Sequence, residues 1–333
     1  MDIRNTKELK AFAGERLGNA REEKKIVLIY AGITIILSAL VTLINYCLGL
    51  QIDRSGGLSN LGTRSLLSTV QTILPMAQAL FLMCLDVGYL AAMLRVARGQ
   101  YTSPQTLRLG FDRFWPLLRL SLLQGLIYFA ICFVSVYIAL MLFLITPLGK
   151  PFLDILLPLI TESSLSGEAA MVLDDATYVL LESSMTPALV ICGILFCVLS
   201  APIFYQYRMA NYVIIDRPAV GAIAAMRESR KMMKGSRFHL FRLDLSLWWY
   251  YAAMLVAVAV CYADIWLPML GVTLPWSADV GYFLFYGLYL AAEFGIYYFI
   301  RNRAEVTYAL AYDSLRPEEK NDGGVVLGNI FNM

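Results

Sequence analysis

Six long apolar segments constrain the fold of this chain more than any other feature of its sequence. About 20 apolar residues in a helix are enough to cross the roughly 30 Å of hydrocarbon in a bilayer. These segments are too long for barrel strands, and a helix satisfies its own backbone hydrogen bonds in lipid. We therefore predict an all-α fold, a polytopic membrane bundle of about six transmembrane helices. The predicted spans are roughly 26–50, 67–94, 117–146, 187–207, 243–263 and 280–300.

The composition agrees with a membrane protein. The chain is 59% hydrophobic and 16% charged, whereas a soluble domain is typically about 45–50% apolar and about 25% charged. All six cysteines lie in apolar runs, and the chain has one histidine. A disulfide framework or a zinc site is therefore not expected. We predict that the protein holds no metal and no cofactor.

The positions of the cations predict the orientation in the membrane. Cytoplasmic loops retain Lys and Arg, and 24 of the 27 Lys and Arg residues lie in segments 1–25, 95–119, 208–242 and 301–333. Both termini are therefore predicted to be cytoplasmic, in a multi-pass protein of the cell membrane. The predicted domains are an amphipathic segment at 1–25, a six-span membrane domain at 26–312 and a flexible tail at 313–333. The external loop at 147–186 is acidic, and its role stays open.

A basic segment precedes the fifth predicted span. On a helix, Arg227, Arg230, Lys231 and Lys234 share one face, because they are spaced at i, i+3, i+4 and i+7. The opposite face holds Ala222, Ala225, Met226, Ser229, Met232 and Met233. This pattern predicts a basic amphipathic helix in the cytoplasmic membrane interface.

The basic segment also suggests what the protein contacts. Together with Arg237 and Arg242, the four cations of the helix are predicted to bind anionic lipid headgroups or a protein partner. A second copy of the chain is one such partner. Nucleic acid is not expected, because the aromatic residues nearby lead into the next span and form no stacking platform.

Two carboxylates inside the spans are candidates for a functional site, because charge within a membrane is costly. Asp86 and Glu293 both lie roughly 12 Å inside the cytoplasmic edge of their spans. Gln78 and Gln124 are further polar residues inside predicted spans. These groups could line a cavity, share a proton or coordinate a cation. Alternatively, a neighbouring Arg or Tyr binds each carboxylate and the contacts serve helix packing.

The sequence lacks several common enzymatic motifs. The sequence has no G-x-x-x-x-G-K-[ST] loop for a nucleotide, no H-E-x-x-H and no G-x-S-x-G. A single histidine also argues against histidine-based metal clusters. An enzymatic activity is therefore not expected.

The central region resembles a known membrane family. The resemblance rests on Asp216, Pro218, the S-x-x-M-M-K-G run at 229–235 and the stretch 241–248. The runs GYLAAMLRVARGQ and LGNAREEKK support it. In these features the chain is similar to the uncharacterised bacterial family called domain of unknown function 975. The resemblance implies a multi-span inner-membrane protein, typically of Gram-positive bacteria, and implies no activity or catalytic residues.

Three functions follow from these observations. The first is a non-enzymatic membrane protein that binds lipid or a partner and assists assembly. The second is a permease or exporter subunit that uses Asp86 and Glu293. The third is a lipid-modifying enzyme. A cavity that reaches both carboxylates favours the second function, a closed bundle favours the first, and a catalytic cluster at the headgroups favours the third.

Overall fold

A computed structural model describes residues 5–20, 22–54, 61–150, 152–154, 157–158 and 175–316. These residues form helices and turns, without any β-strand, so the all-α prediction is confirmed for them. The chain divides into two compact units. Unit 1 comprises Met1–Leu117 and Met209–Met333, and unit 2 comprises Leu118–Arg208.

The helices are numbered here in chain order. They are α1 (Thr6–Asn19), α2 (Glu23–Arg54), α3 (Leu61–Ala97), α4 (Leu109–Asp112), α5 (Phe114–Ile145), α6 (Asp175–Tyr207), α7 (Ala210–Asp216), α8 (Ala222–Met232), α9 (Arg237–Ser246), α10 (Trp248–Cys261), α11 (Ala263–Met269), α12 (Ala278–Ile296) and α13 (Asn302–Leu315). Short 3₁₀ helices cover Pro104–Arg108 and Pro147–Gly149, and a π-helical turn at Tyr297–Arg301 joins α12 to α13.

Five helices among the described residues are long and apolar enough to cross a membrane, and six if one bent pair counts as a single span. Three of them contain the predicted spans 26–50, 67–94 and 187–207, and a fourth, which ends at Ile145, covers the predicted span 117–146 except for its last residue. The fifth runs without a break through α12, the π-helical turn and α13. This set of helices is compatible with a multi-pass membrane protein, as predicted.

The predicted span 243–263 is not one straight helix. Helices α9 and α10 meet at Leu247 with a bend of 63°. The 14 residues of α10 extend only about 21 Å. Asp244, inside the predicted span, is buried in α9 and accepts a hydrogen bond of 2.7 Å from the Tyr308 hydroxyl of α13. Hydropathy averaged over the segment does not register this polar contact.

The chain stays helical beyond the predicted end of the sixth span at residue 300. Helix α13 packs against α1 and α3, and it buries Ala304, Val306, Thr307, Tyr308, Ala309, Leu310, Ala311 and Tyr312. The first residues of the predicted tail, 313–315, therefore belong to a helix. Residues 317–333 of that tail lie outside the described residues.

The apolar side of α1 is covered by protein. Leu9 and Ala13 are fully buried, and the helix contacts α13, α3 and α9. The sequence predicted an amphipathic segment here, and periodicity alone does not distinguish a face that contacts protein from one that contacts lipid.

Unit 2 is built from the long helices α5 and α6, which expose many large apolar side chains. Examples are Phe129, Phe133, Ile194 and Val198. Helix α6 begins at Asp175, so the last part of the predicted external loop 147–186 is helical. The loop's acidic residues Glu162, Glu168 and Asp174 lie outside the described residues.

Candidate functional site

Unit 1 contains a cavity of about 420 Å³ between α2, α3, α10 and α12. Three of the predicted site residues, Gln78, Asp86 and Glu293, line it. Most of the other lining residues are polar or aromatic. They are Tyr30, Thr34, Ser38, Leu82, Val258, Cys261, Tyr262, Tyr286, Tyr289 and Tyr297.

The cavity follows from the spacing of polar residues along its helices. On α2 the lining residues are 30, 34 and 38, and on α3 they are 78, 82 and 86. Residues four apart lie on one face of a helix. Each helix therefore presents one mostly polar stripe to the cavity. Gln78 Nε2 donates to Ser38 Oγ at 3.0 Å, which links the two stripes.

Asp86 is held by an arginine and a tyrosine. Its carboxylate accepts a hydrogen bond from the Tyr30 hydroxyl and an ion-paired one of 2.9 Å from Arg301 Nη2. Arg301 Nη1 also donates to the Tyr30 hydroxyl at 2.7 Å. The side chain of Asp86 is 45% exposed, whereas that of Arg301 is 12% exposed. Asp86 thus lines the cavity, whereas its counter-ion Arg301 is mostly buried and lies outside the cavity lining.

Arg301 lies among aromatic rings. Its guanidinium carbon is 5.0 Å from the ring centroid of Tyr30, 5.3 Å from that of Tyr89 and 4.8 Å from that of Tyr297. Such cation–π contacts and the ion pair together offset the cost of burying a charge. This part of unit 1 is built to hold a cation between a carboxylate and tyrosine rings.

Glu293 has a different environment. Only 7% of the residue is exposed, and its carboxylate accepts a 2.6 Å hydrogen bond from the Tyr297 hydroxyl. Tyr289, one helical turn before Glu293, lines the same cavity. Within the described parts of the chain, no Lys or Arg forms an ion pair with Glu293. The cavity therefore contains one carboxylate with a counter-ion and one without.

The described residues bring together no group of three His, Cys, Asp or Glu side chains that could hold a metal ion. Gln124 is also separate, because it lies on α5 in unit 2 and is not a lining residue of the cavity. The cavity is thus equipped for hydrogen bonding and charge recognition.

The apolar and the basic residues of α8 lie on opposite faces of the helix, as the spacing predicted, but the apolar face contacts protein. Ala222, Ala225, Met226, Ser229, Met232 and Met233 are all buried, and α8 packs against α7. The side chains of Arg227, Arg230, Lys231 and Lys234 are exposed. Protein, rather than the bilayer interface that the sequence predicted, therefore covers the apolar face, and the basic face is exposed. Of the two other predicted cations, Arg242 is exposed and Arg237 is half-buried.

Part of the basic face borders a second cavity of about 590 Å³. Its lining includes Arg227, Lys231, Met232 and Leu315. Glu228, also in the lining, forms a 2.5 Å ion pair with Arg217. This contact links the middle of α8 to Arg217, the residue that follows α7.

A second charge cluster joins the ends of α3, α7 and α13. Arg98 donates to Asp313 at 2.6 Å and to Asp216 at 2.7 Å, and Arg316 forms a 3.0 Å ion pair with Asp216. Burial alone would lower the pKa of Arg98, but its hydrogen bonds to Asp313 and Asp216 raise that pKa above the ordinary value. Asp216, one of the residues that carry the family resemblance, is thus the centre of an ion-pair network.

Sequence reasoning allowed that a neighbouring Arg or Tyr binds each carboxylate, and the structure shows such contacts at both. It did not identify which residues these are, because Arg301 was counted among the cations outside the spans. A signal was present, since Tyr289, Glu293, Tyr297 and Arg301 follow one another at intervals of four. The π-helical turn at Tyr297–Arg301 lies at the same place, and such irregular turns frequently occur at functional sites.

Comparison with protein families shows which family the chain belongs to. A family described as "Protein of unknown function (DUF975)" matches residues 1–316. The chain belongs to this family. The match includes both charge clusters and all four helices around the cavity, so the resemblance noted in the sequence is confirmed. The family description assigns no activity to this DUF975 protein, and no curated protein or solved structure is significantly similar to it.

Proposed function

We propose that this DUF975 protein is a multi-pass protein of the cell membrane, with both termini in the cytoplasm, that acts as a permease or exporter subunit. In this proposal, a small polar ligand binds in the cavity of unit 1. The observation that carries it is that Asp86 and Glu293, from different helices, line the same cavity.

The size and lining of the cavity support ligand binding. Its volume of about 420 Å³ falls within the range of about 300–1,000 Å³ found for small-molecule sites. Polar groups inside a membrane bundle are costly and typically mark a substrate or ion pathway. Gln78, Asp86 and Glu293, the predicted site residues that lie in unit 1, all line this cavity.

Helix packing explains only part of the arrangement. The contacts among Asp86, Arg301 and Tyr30 join α2 to α3 and to the π-helical turn. Glu293 joins no other helix by an ion pair among the described residues; the Tyr297 hydroxyl that it accepts from comes from the turn directly after α12. A carboxylate with so small a packing role is better explained by a ligand.

A second candidate function is the binding of anionic lipid headgroups or a partner protein at the basic face of α8. The exposed side chains of Arg227, Arg230, Lys231 and Lys234 favour it. Each cation near an anionic membrane surface contributes about 1 kcal/mol to binding. A lipid-modifying activity receives no support from the described residues.

The access of solvent from both sides of the membrane tests the proposed transport. Ser38→Cys, in a chain whose native cysteines are replaced by Ala, places a thiol in the cavity. A membrane-impermeant thiol reagent is then applied to right-side-out vesicles and to inverted vesicles. We expect modification from both sides, because a transport site must open alternately to each.

The matched control is Ala92→Cys, because Ala92 is fully buried on α3 and is not a lining residue. It should not react in folded protein. Reaction of the thiol at position 38 from one side only would contradict transport and leave a one-sided binding site.

A further inference from the structure

We propose that the ligand of the unit 1 cavity is a small organic cation with an ammonium group, and that Glu293 is its counter-ion. This inference rests on the proposed function, because it specifies the class of ligand for the same cavity. Three features of the cavity lead to it: the balance of charge, the aromatic lining and the contrast with Arg301.

The balance of charge favours a cation. The two carboxylates of the cavity are opposed by one arginine, which is already paired with Asp86 and, at 3.6 Å, with Glu305. Arg301 is not a lining residue, so an anion in the cavity would meet carboxylates before it met a cation. A positively charged ligand would complete the pairing, because a buried carboxylate is costly without a partner.

The aromatic lining favours an organic ammonium ion over a metal ion. Tyr286 and Tyr289, with ring centroids 6.0 Å apart, line the cavity on the same helix as Glu293. Ammonium groups bind to the faces of such rings. A hard divalent cation requires about six oxygen ligands, and the described residues bring no third acidic side chain to the two carboxylates.

Arg301 shows how this region binds a cation. Its guanidinium lies between the Asp86 carboxylate and the rings of Tyr30, Tyr89 and Tyr297. Glu293, with the rings of Tyr286 and Tyr289 nearby, repeats that combination of groups without a cation from the described chain. The ammonium ligand would take the role at Glu293 that Arg301 has at Asp86.

Calorimetric titration of the full-length protein in an uncharged maltoside detergent tests the inference. The probes are choline, a quaternary ammonium, and ethanolamine, a primary one. Each is paired with an uncharged molecule of similar shape, 3,3-dimethylbutan-1-ol for choline and ethane-1,2-diol for ethanolamine. We expect saturable binding of at least one ammonium probe, at least about tenfold tighter than its uncharged counterpart, because a charge-assisted contact is lost in the latter.

A matched pair of variants locates the binding. Glu293→Gln retains the size of the side chain and removes its charge, so we expect it to weaken binding of the ammonium probe by about tenfold or more. Asp279→Asn makes the same kind of change in the first turn of the same helix, at an exposed residue outside the cavity lining. It should leave binding unchanged.

The outcomes separate this inference from the proposed function. Equal binding of charged and uncharged probes would overturn the ammonium assignment alone. The same holds if neither ammonium probe binds while the thiol at position 38 is modified from both sides. Ammonium binding that Glu293→Gln leaves intact would overturn the role of Glu293.

The ammonium group has two sources, a free amine or a phospholipid headgroup. Addition of phosphatidylethanolamine to the micelles distinguishes them. Competition with the probe would support a lipid headgroup as the natural ligand, and its absence would support a free amine.

Discussion

The two charge clusters of unit 1 differ in their balance of charge. At the ends of α3, α7 and α13, Arg98 and Arg316 are paired with Asp216 and Asp313. At the cavity, Arg301 pairs with Asp86 and, at 3.6 Å, with Glu305, and Glu293 adds a carboxylate that has no ion pair among the described residues. The first cluster is complete within the chain and joins three helices. The second leaves one carboxylate facing a cavity.

This comparison teaches that burial of charge does not by itself indicate function. A balanced network satisfies its own members and stabilises helix contacts, even though its residues are as polar as those of a binding site. In an unbalanced network, a buried charge lacks a partner, and helix packing does not explain the energetic cost of burying it. We therefore expect substitutions in the two clusters to affect different properties, stability in the first and ligand binding in the second.

The largest effect is expected at Arg98. Arg98→Met retains much of the side-chain volume but leaves Asp313 and the mostly buried Asp216, which is 7% exposed, without their shared partner. Loss of one partner from a buried ion pair costs about 3 kcal/mol. The melting temperature in detergent should fall clearly. Arg230→Met, at an exposed cation of α8, should change stability by less than about 0.5 kcal/mol, and an equal loss in both variants would contradict the structural role of the cluster.

A smaller change in stability distinguishes the roles of the two clusters directly. Asp313→Asn weakens the bidentate contact with Arg98 and should cost about 1–2 kcal/mol of stability. Glu293→Gln makes the same chemical change but breaks no ion pair among the described residues. Because it removes a buried charge, it should leave the melting temperature unchanged or raise it. If Glu293→Gln lowered the melting temperature as much as Asp313→Asn, the carboxylate of Glu293 would be structural.

Part of this contrast could be predicted from the sequence. Asp86 and Glu293 stand out because they interrupt long apolar runs, and intramembrane charge is rare for energetic reasons. The two faces of α8 follow from 3.6-residue periodicity, and the buried residues are those that the spacing predicted. The family could be recognised from its central motif. These features depend on local spacing, which one sequence displays.

The rest depends on tertiary contacts. The pairing of Arg301 with Asp86 joins residues 215 positions apart, and hydropathy gave Arg301 no role beyond marking the edge of a span. The bend at Leu247 follows closely after Asp244, whose hydrogen bond with Tyr308 also joins residues that are remote in sequence. Amphipathicity predicted the buried faces of α1 and α8, but it does not indicate whether protein or lipid covers them.

The most direct test of the account uses two native cysteines. Cys261 lines the cavity, whereas Cys84 is buried on α3 outside it. Two chains, each retaining one of these cysteines, would be treated in detergent with a charged thiol reagent, with denatured protein as the reference for full reaction. The account predicts that Cys261 reacts in folded protein and that Cys84 does not. Equal protection of both cysteines would show that the cavity is closed to water and would contradict a ligand site at Asp86 and Glu293.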